Sequence, residues 1–406
     1  MAIFCGIDWS ERHHDVALVD GEGRVLARRR ISDDAAGLTV LAGLLAEHAG
    51  GPGCAPVDIA LETDRGLLVA ALRAAGHRVY AINPMAVDRY RDRHRSSRAK
   101  SDPADALVLA DLLRTDRDRH RPLPDDSEHV AAIAVLARAH HDAVATSVHE
   151  SARLRSLLRE FFPAALEAFP TLHTRTAVTV LAAASTPPAA AALTQAQLRD
   201  LMHTARRNTP RDYPAKLQAI FATSQLHQPA QIEAAMGVAV TAIVRTLAAA
   251  LDAIKELETA LDAIFAHHPD AEILRSLPGL GLILGARVLG EFGDDPTRFA
   301  DAASRRAYAG SAPVTRASGK TTLVRLRRGC NRRLADACRW WAFSATQYSP
   351  GAKTFYLHRR ATGDGHEAAL RRLANKLLGQ LHHCLTHRVT YDEQAAWPDP
   401  PKAPAA

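Results

Sequence analysis

The sequence predicts an α/β N-terminal domain, a long helical spacer and a mainly α C-terminal domain. Three observations predict it. Short apolar runs alternate with helical spacing over the first 85 residues, apolar residues recur by fours and threes through 243–264, and 271 to about 390 reads as a compact helical region. A chain of 406 residues has room for two or three domains. Its 47% hydrophobic and 23% charged residues exclude wholesale disorder.

In the first 85 residues IFCGIDW, DVALVD and RVLARRRI are three strand-like runs, with Gly21 to Gly23 turning the second into the third. Leu38 to Ala46 has helical spacing, VDIALE is a buried-type strand, GLLVAALRAAG is a helix ending at Gly76, and HRVYAINP is a strand stopped by Pro84. The order βββαβαβ is the ribonuclease H topology, a mixed sheet with helices on its faces.

Two long helices are predicted at 128–162 and 229–266. In the second, Ile243, Leu247, Ala250, Ile254, Leu257, Leu261 and Ile264 form a coiled-coil seam. That seam serves equally an intramolecular hairpin with the first helix or a dimer. The prolines of 170–228 (Pro170, Pro187, Pro188, Pro210, Pro214) predict an irregular, partly helical insertion. The expected domains are 1–122, the spacer 123–268, the C-terminal domain 269–392, and a disordered Pro/Ala-rich tail over 393–406.

Five scattered cysteines without a CxxC pair fit neither a disulfide framework nor a zinc cluster. No HExxH-like spacing occurs among the 20 histidines, which read as surface residues. The N-terminus meets acidic residues too early for a signal peptide, and no uninterrupted apolar run reaches the ~18 residues of a membrane span. The expectation is a cytoplasmic protein, nucleoid-associated when bound to DNA, with no membrane partner.

Four carboxylates fall where such a sheet gathers metal ligands. Asp8 lies within the first strand, where a charge is costly unless something pairs with it. Glu62 ends the VDIALE strand, which would neighbour the first. Asp102 and Asp105 are three apart at the start of the helix ADALVLADLLR and share one face. Converging carboxylates are held together by hard cations, Mg²⁺ or Mn²⁺, and two such ions can clamp a phosphodiester. Asp102 before Pro103 also suits a helix N-cap, and Asp105 a first-turn residue facing the helix dipole.

The net charge is +7, with 44 Arg against 7 Lys, so location matters more than the total. Arg89, Arg91, Arg93, Arg95, Arg98 and Lys100 precede the Asp102 pair with a single acid among them. Arg316, Lys320, Arg325, Arg327, Arg328, Arg332, Arg333 and Arg339 form a second cluster against one acid, Asp336. Such clusters bind nucleic acid by releasing counterions. The turn PGLG in LRSLPGLGLILGARVLGEFG resembles a helix-hairpin-helix, in which Gly279 and Gly281 let the backbone approach a phosphate. It serves equally as a turn between two core helices. Ser318 stands inside the second cluster, flanked by Arg316 and Lys320. A serine hydroxyl needs a base, cations or a metal to attack, and no spacing separates Ser318 from the other serines.

The segments GIDWSERHHDVALVD, IALETDRG, INPMAVDRYR and KSDPADALVLADLLR closely resemble the N-terminal DEDD domain of insertion-sequence transposases of the IS one-ten family. LRSLPGLGLILGARVLGEFGDDPTRFADAASRRAYAGSAPVTRASGK and RRGCNRRLADACRWWAFSATQYSPGAKTFY resemble that family's C-terminal transposase domain. The resemblance covers about two thirds of the chain. It implies a RuvC-like domain with Asp8, Glu62, Asp102 and Asp105 as a Mg²⁺-binding tetrad, and Ser318 as a nucleophile that forms a covalent phosphoserine link to DNA. It also implies double-stranded donor and target DNA, a structured non-coding bridge RNA, and homodimers assembling into tetramers. The sequence departs from the family at Ser311, where an apolar residue is usual, at Cys330 for Gly and at Asp64 for Gly. Ser311 is thereby a rival nucleophile. The alternative function is a RuvC-like, metal-dependent junction endonuclease using water; a third is a non-catalytic guided DNA-binding protein, which four intact carboxylates oppose.

Overall fold

The structure is a computed structural model that describes residues 2–51, 55–94, 102–205, 210–319 and 321–398. The chain divides into two compact units, Met1–Asp125 and Asp126–Ala406.

The first unit is built on strands β1 (Ile3–Trp9), β2 (His13–Asp20), β3 (Val25–Ser32), β4 (Asp58–Leu61) and β5 (Arg78–Ala81), in the sheet order β3-β2-β1-β4-β5. The first three form the antiparallel meander that their tight connections predict, and β4 and β5 join in parallel beside β1. Helices α1 (Ala35–Ala49), α2 (Leu67–Ala74), α3 (Pro84–His94) and α4 (Asp102–Asp116) complete the mixed α/β fold. Alternation along β1 divides its residues between two cores. Cys5 and Ile7 pack with Leu41 and Leu68, whereas Phe4 packs with Leu109 and Ala110 of α4.

Gly6 sets the distance between β1 and α4. A Cβ placed there would stand 2.0 Å from the Ala106 carbonyl oxygen and 2.4 Å from the Ala110 nitrogen. The helix backbone therefore rests directly on the strand. Gly6→Val forces the two apart and costs roughly 3 kcal/mol by overpacking. Amides of β1 and α4 should then exchange with solvent about 100-fold faster in hydrogen-exchange measurements. Unchanged exchange would contradict this packing.

The second unit is helical. Helices α5 (Glu128–Phe161) and α11 (Ala230–Phe265) run antiparallel: Val130 and Ile133 meet Leu261 and Phe265 at one end, and Leu154 and Leu158 meet Val240 and Val244 at the other. The α11 seam thus turns inward at Leu247, Ala250 and Leu261, while Ile254 and Leu257 stay half-buried. Among the described residues α11 is the one helix long and apolar enough to cross a membrane, and its buried positions pack on protein.

Between these helices lie α6 (Pro163–Ala168), α7 (Arg175–Ala183), α8 (Pro187–Ala191), α9 (Gln195–Thr204) and α10 (Tyr213–Phe221). The insertion expected to be irregular and partly helical is partly helical, with α7 to α10 joined by short connections. Three of its prolines start helices: Pro187 and Pro188 follow the N-cap Thr186, and Pro214 lies in the first turn of α10, where no amide donor is lost. Pro170 and Pro210 lie in connections. Phe162, Phe169, Leu181, Leu198 and Phe221 give this segment a core shared with α5 and α11.

Helices α12 (Ala271–Ser276), α13 (Leu282–Phe292) and α14 (Ala302–Tyr308), strands β6 (Val314–Ser318) and β7 (Thr321–Arg325), and helices α15 (Arg332–Tyr348), α16 (Pro350–Ala361), α17 (His366–His387) and α18 (Glu393–Ala396) follow. Fully buried Trp341 lies in their core with Leu277, Phe292 and Leu377. Buried Glu291 ties three elements together. It accepts from Arg138 at 2.7 and 3.0 Å and from Asn331, the N-cap of α15, at 2.6 Å. Burial pushes its carboxyl up, but these donors outweigh that and hold it below the usual range.

The tail expected to be disordered from 393 is ordered at its start. Glu393 accepts from the Ser349 hydroxyl at 2.8 Å and the Gly351 amide at 2.9 Å, and Trp397 covers Gly351. Residues 399–406 lie outside the described residues. Cys5, Cys330, Cys338 and Cys384 are free thiols, and burial pushes the Cys338 thiol up to about 12; Cys54 is not described.

Candidate active site

In the first unit Ile7 of β1 pairs with Leu61 of parallel β4, so one further step sets Asp8 beside Glu62. Both carry the parity of Phe4 and Ala60, which pack against α4, and so belong to the face that α4 covers. Asp8 is half-buried and Glu62 exposed. The contact of Gly6 with Ala106 places Asp105, one residue earlier and 5% exposed, at this same end of the helix. Asp102 is the first residue of α4, and its side chain lies outside the described set. Among the described residues no group of three or more His, Cys, Asp or Glu is drawn together as a metal site. The donor types nevertheless fit a hard divalent cation: all are carboxylates, two of them one residue beyond the last paired positions of β1 and β4.

Two further residues shape this edge: Asp15, which carried no sequence signal, and Arg91, whose expected partner is nucleic acid. Asp15 of β2 stands directly opposite Asp8, is nearly buried, and is neutralised by Arg30 at 2.7 and 3.1 Å. Arg91 donates to Asp105 at 2.6 Å and to Asp88 at 3.0 Å. Its charge run pointed to phosphate, but one turn of α3 brings it against α4, where buried Asp105 takes its guanidinium. Arg89 is exposed; the side chains of Arg93, Arg95, Arg98 and Lys100 lie outside the described residues. Gly6 did carry a signal, because a lone glycine inside a strand marks close backbone approach.

In the second unit β6 and β7 form an antiparallel hairpin with Ser318 opposite Thr321, closed through Gly319 at φ +55°. Ser318 therefore ends a strand at the hairpin tip and is exposed, as is every residue of β7. Ser311 contrasts with it. Ser311 is 7% exposed, donates to the Arg306 carbonyl at 3.3 Å and accepts from Asn375 at 3.3 Å. Cys330 anchors the hairpin root by packing over Gly310, where a Cβ would stand 2.7 Å from its sulfur. Arg325, Arg328 and Arg332 are exposed, and Arg327 is half-buried and donates to the Ala312 carbonyl. Arg333 is committed to Asp142 at 2.9 and 3.2 Å, since α5 offers that carboxylate across from α15. The side chains of Arg316 and Lys320 lie outside the described residues.

The PGLG turn joins α12 to α13, yet Gly279 faces inward. At φ +77°, a Cβ there would lie 2.7 Å from the Ala345 nitrogen of α15, and Trp341 donates to the Pro278 carbonyl at 3.0 Å. Packing on α15 accounts for that glycine without a phosphate. Gly281, at the start of α13, is exposed with nothing near its Cα hydrogen.

A mixed sheet of ribonuclease H type, followed by a helical unit with a basic hairpin, is consistent with a DNA-processing enzyme of the transposase class, a fold-level likeness that similarity to known proteins has to decide. Residues 5–163 match the DEDD transposase family of IS110, and residues 271–357 match the transposase IS116/IS110/IS902 family. The chain is 51% identical over 402 residues to the mini-circle putative transposase for IS117 of Streptomyces coelicolor, covering 98% of this chain and 97% of that one. It is 30% identical to the insertion element IS900 uncharacterized 42 kDa protein of Mycobacterium paratuberculosis, over 96% and 97% of the two chains. The insertion element IS116 uncharacterized 44.8 kDa protein of Streptomyces clavuligerus is also 30% identical, over 98% and 97%. The chain belongs to the IS110/IS116 family of insertion-sequence transposases, and it is an enzyme that acts on DNA.

Proposed function

We propose that this transposase exchanges DNA strands through a covalent phosphoserine at Ser318, aided by divalent cations at Asp8, Glu62, Asp102 and Asp105 and guided by a structured bridge RNA. The observation that carries this reading is the contrast between the two serines of the basic segment: Ser318 is exposed at a hairpin tip, whereas Ser311 is buried and hydrogen-bonded. The Ser318 oxygen attacks phosphorus, one phosphodiester oxygen leaves, and the hydroxyl proton passes to a base or water. A strand hydroxyl later attacks the phosphoserine and regenerates the serine. One phosphodiester replaces another, so no external energy source is required.

A bound Mg²⁺ or Mn²⁺ supplies charge neutralisation at the phosphate. Asp8 and Glu62 would hold it from adjacent strands, and Asp102 and Asp105 from the start of α4. Arg91 holds Asp105 in place and offsets its charge. Exposed Arg325, Arg328 and Arg332 bind the DNA backbone. Half-buried Ile254 and Leu257, with exposed Leu323 and Val324 on the hairpin, leave apolar surface for further copies in a dimer or tetramer.

Guide dependence is tested by supplying donor and target DNA with and without the non-coding RNA encoded beside the gene. Strand exchange should need the RNA and follow its sequence when the guide is changed. Equal exchange without RNA contradicts the guided reading.

A further inference from the structure

The hairpin root opens onto a cleft of about 690 Å³ that draws most of its charge from outside the basic sequence cluster. Arg325 of β7 lines one wall, and His358 and Arg359 of α16 and Arg371, Arg372 and Lys376 of α17 line the other. No carboxylate lines it. Asp364 is shared by Arg359 at 2.6 Å and Arg372 at 2.9 Å, so one negative charge meets two of the five Lys and Arg side chains. The side chains of Arg325 and Arg371 make no hydrogen bond among the described residues. Arg371 lies one helical turn after Glu367, whose carboxyl is held below its usual range first by the hydrogen bonds from Arg339 and then by nearby charges, that of Arg371 among them. Arg371, Leu326 and Ser311 also line a second cavity of about 490 Å³ that holds Arg328, Arg332 and Arg339, so the two form one trough along the hairpin root. The second cavity's one lining carboxylate among the described residues, Glu367, is taken by Arg339 at 2.6 Å.

Cations gathered around a cavity repel one another, and an anion of matching length relieves that repulsion. A phosphodiester backbone has the required charge spacing, and guanidinium groups match its oxygens in bidentate geometry. From the tip pair Ser318–Thr321 to Arg325 is four strand residues, about 14 Å at ~3.4 Å each. One DNA strand advances ~3.4 Å per nucleotide. A backbone seated in the cleft would thus lie within a few nucleotides of a phosphate at Ser318.

We propose that this cleft is a phosphate-binding site that grips the DNA strand which Ser318 attacks, with Arg371 and Arg325 as its principal contacts. The choice of DNA rests on the reading of Ser318 as nucleophile; the phosphate site itself does not. Ser318 and the cleft share one hairpin, so a strand held at the root is registered against the tip.

The test is equilibrium binding of the full chain to a DNA duplex and, separately, to an RNA duplex of the same length, across a salt series. A Ser318→Ala background with divalent metal chelated keeps the DNA intact whether serine or metal-activated water is the nucleophile. Arg371→Gln should lower the slope of log K against log salt for DNA by about 0.9, and Arg325→Gln with Arg371→Gln by about 1.8, as one or two phosphate contacts vanish. Asp364→Asn, which releases Arg359 and Arg372, should tighten binding and steepen the slope. Arg245→Gln, on the exposed face of α11, should change neither. A DNA slope unchanged by the double variant overturns the site, and a loss confined to the RNA duplex overturns the assignment to DNA. An adduct that persists in Ser318→Ala would sink the nucleophile reading while leaving the slopes intact, so the two failures are distinguishable.

Discussion

Ser318→Ala should abolish the denaturation-resistant protein–DNA adduct and lower strand exchange by on the order of 10⁴-fold or more, the loss expected when a nucleophile is removed. The fold should not notice. Ser318 is exposed at a hairpin tip and nothing crowds Gly319 beside it, so the stability change should stay within about 0.5 kcal/mol. DNA binding should also persist, because the phosphate contacts come from arginines rather than the hydroxyl. Ser311→Ala makes the opposite pattern. It removes the acceptor of Asn375 and a donor to the Arg306 carbonyl, costs about 1 kcal/mol, and leaves the adduct in place. Adduct trapping on both variants, with thermal unfolding alongside, separates a chemical role from a packing role.

Asp8→Asn should reduce metal-dependent strand exchange at least about 100-fold, since loss of a direct ligand exceeds the loss seen for supporting residues. The substitution keeps shape and removes charge. Asp8 is half-buried in β1 beside Glu62 and opposite Asp15, which Arg30 already neutralises, so the sheet should tolerate the change. Nucleic-acid binding should stay near wild type because the basic residues are untouched. A titration with Mg²⁺ and Mn²⁺ checks the direction: the midpoint should move to higher metal concentration. Unchanged exchange at every metal concentration refutes the role. Cleavage that survives in Ser318→Ala without an adduct would instead favour an endonuclease that uses water.

Local patterns carried the first unit. Strand alternation and turn glycines are read over a few residues, and β1 to β5 formed where those signals lie. Asp8 and Glu62 were legible as acids at a strand interior and a strand end, and their adjacency follows from the parallel pairing of β1 with β4. What stayed hidden depends on partners far along the chain. Arg91 is one of six basic residues in a run until α4 presents Asp105 to it. Gly279 looks open to phosphate until α15 closes over it, 66 residues later at Ala345. Pro187 and Pro214 read as breakers, yet at the first turn of a helix the missing amide costs nothing. The tail read as disordered from composition, but Glu393 and Trp397 find Ser349 and Gly351. The cleft at the hairpin root is likewise invisible in one dimension, because α16 and α17 supply most of its charge.

The central claim is that Ser318 becomes covalently joined to DNA. The direct measurement is to trap the adduct with Mg²⁺, donor and target DNA and the guide RNA, denature it, digest protein and DNA, and locate the nucleotide by mass spectrometry. The expected product is a nucleotidyl phosphate on the peptide that contains Ala317 and Ser318. Cut DNA with no modified peptide, or a nucleotide on Ser311 or any other residue, would contradict it.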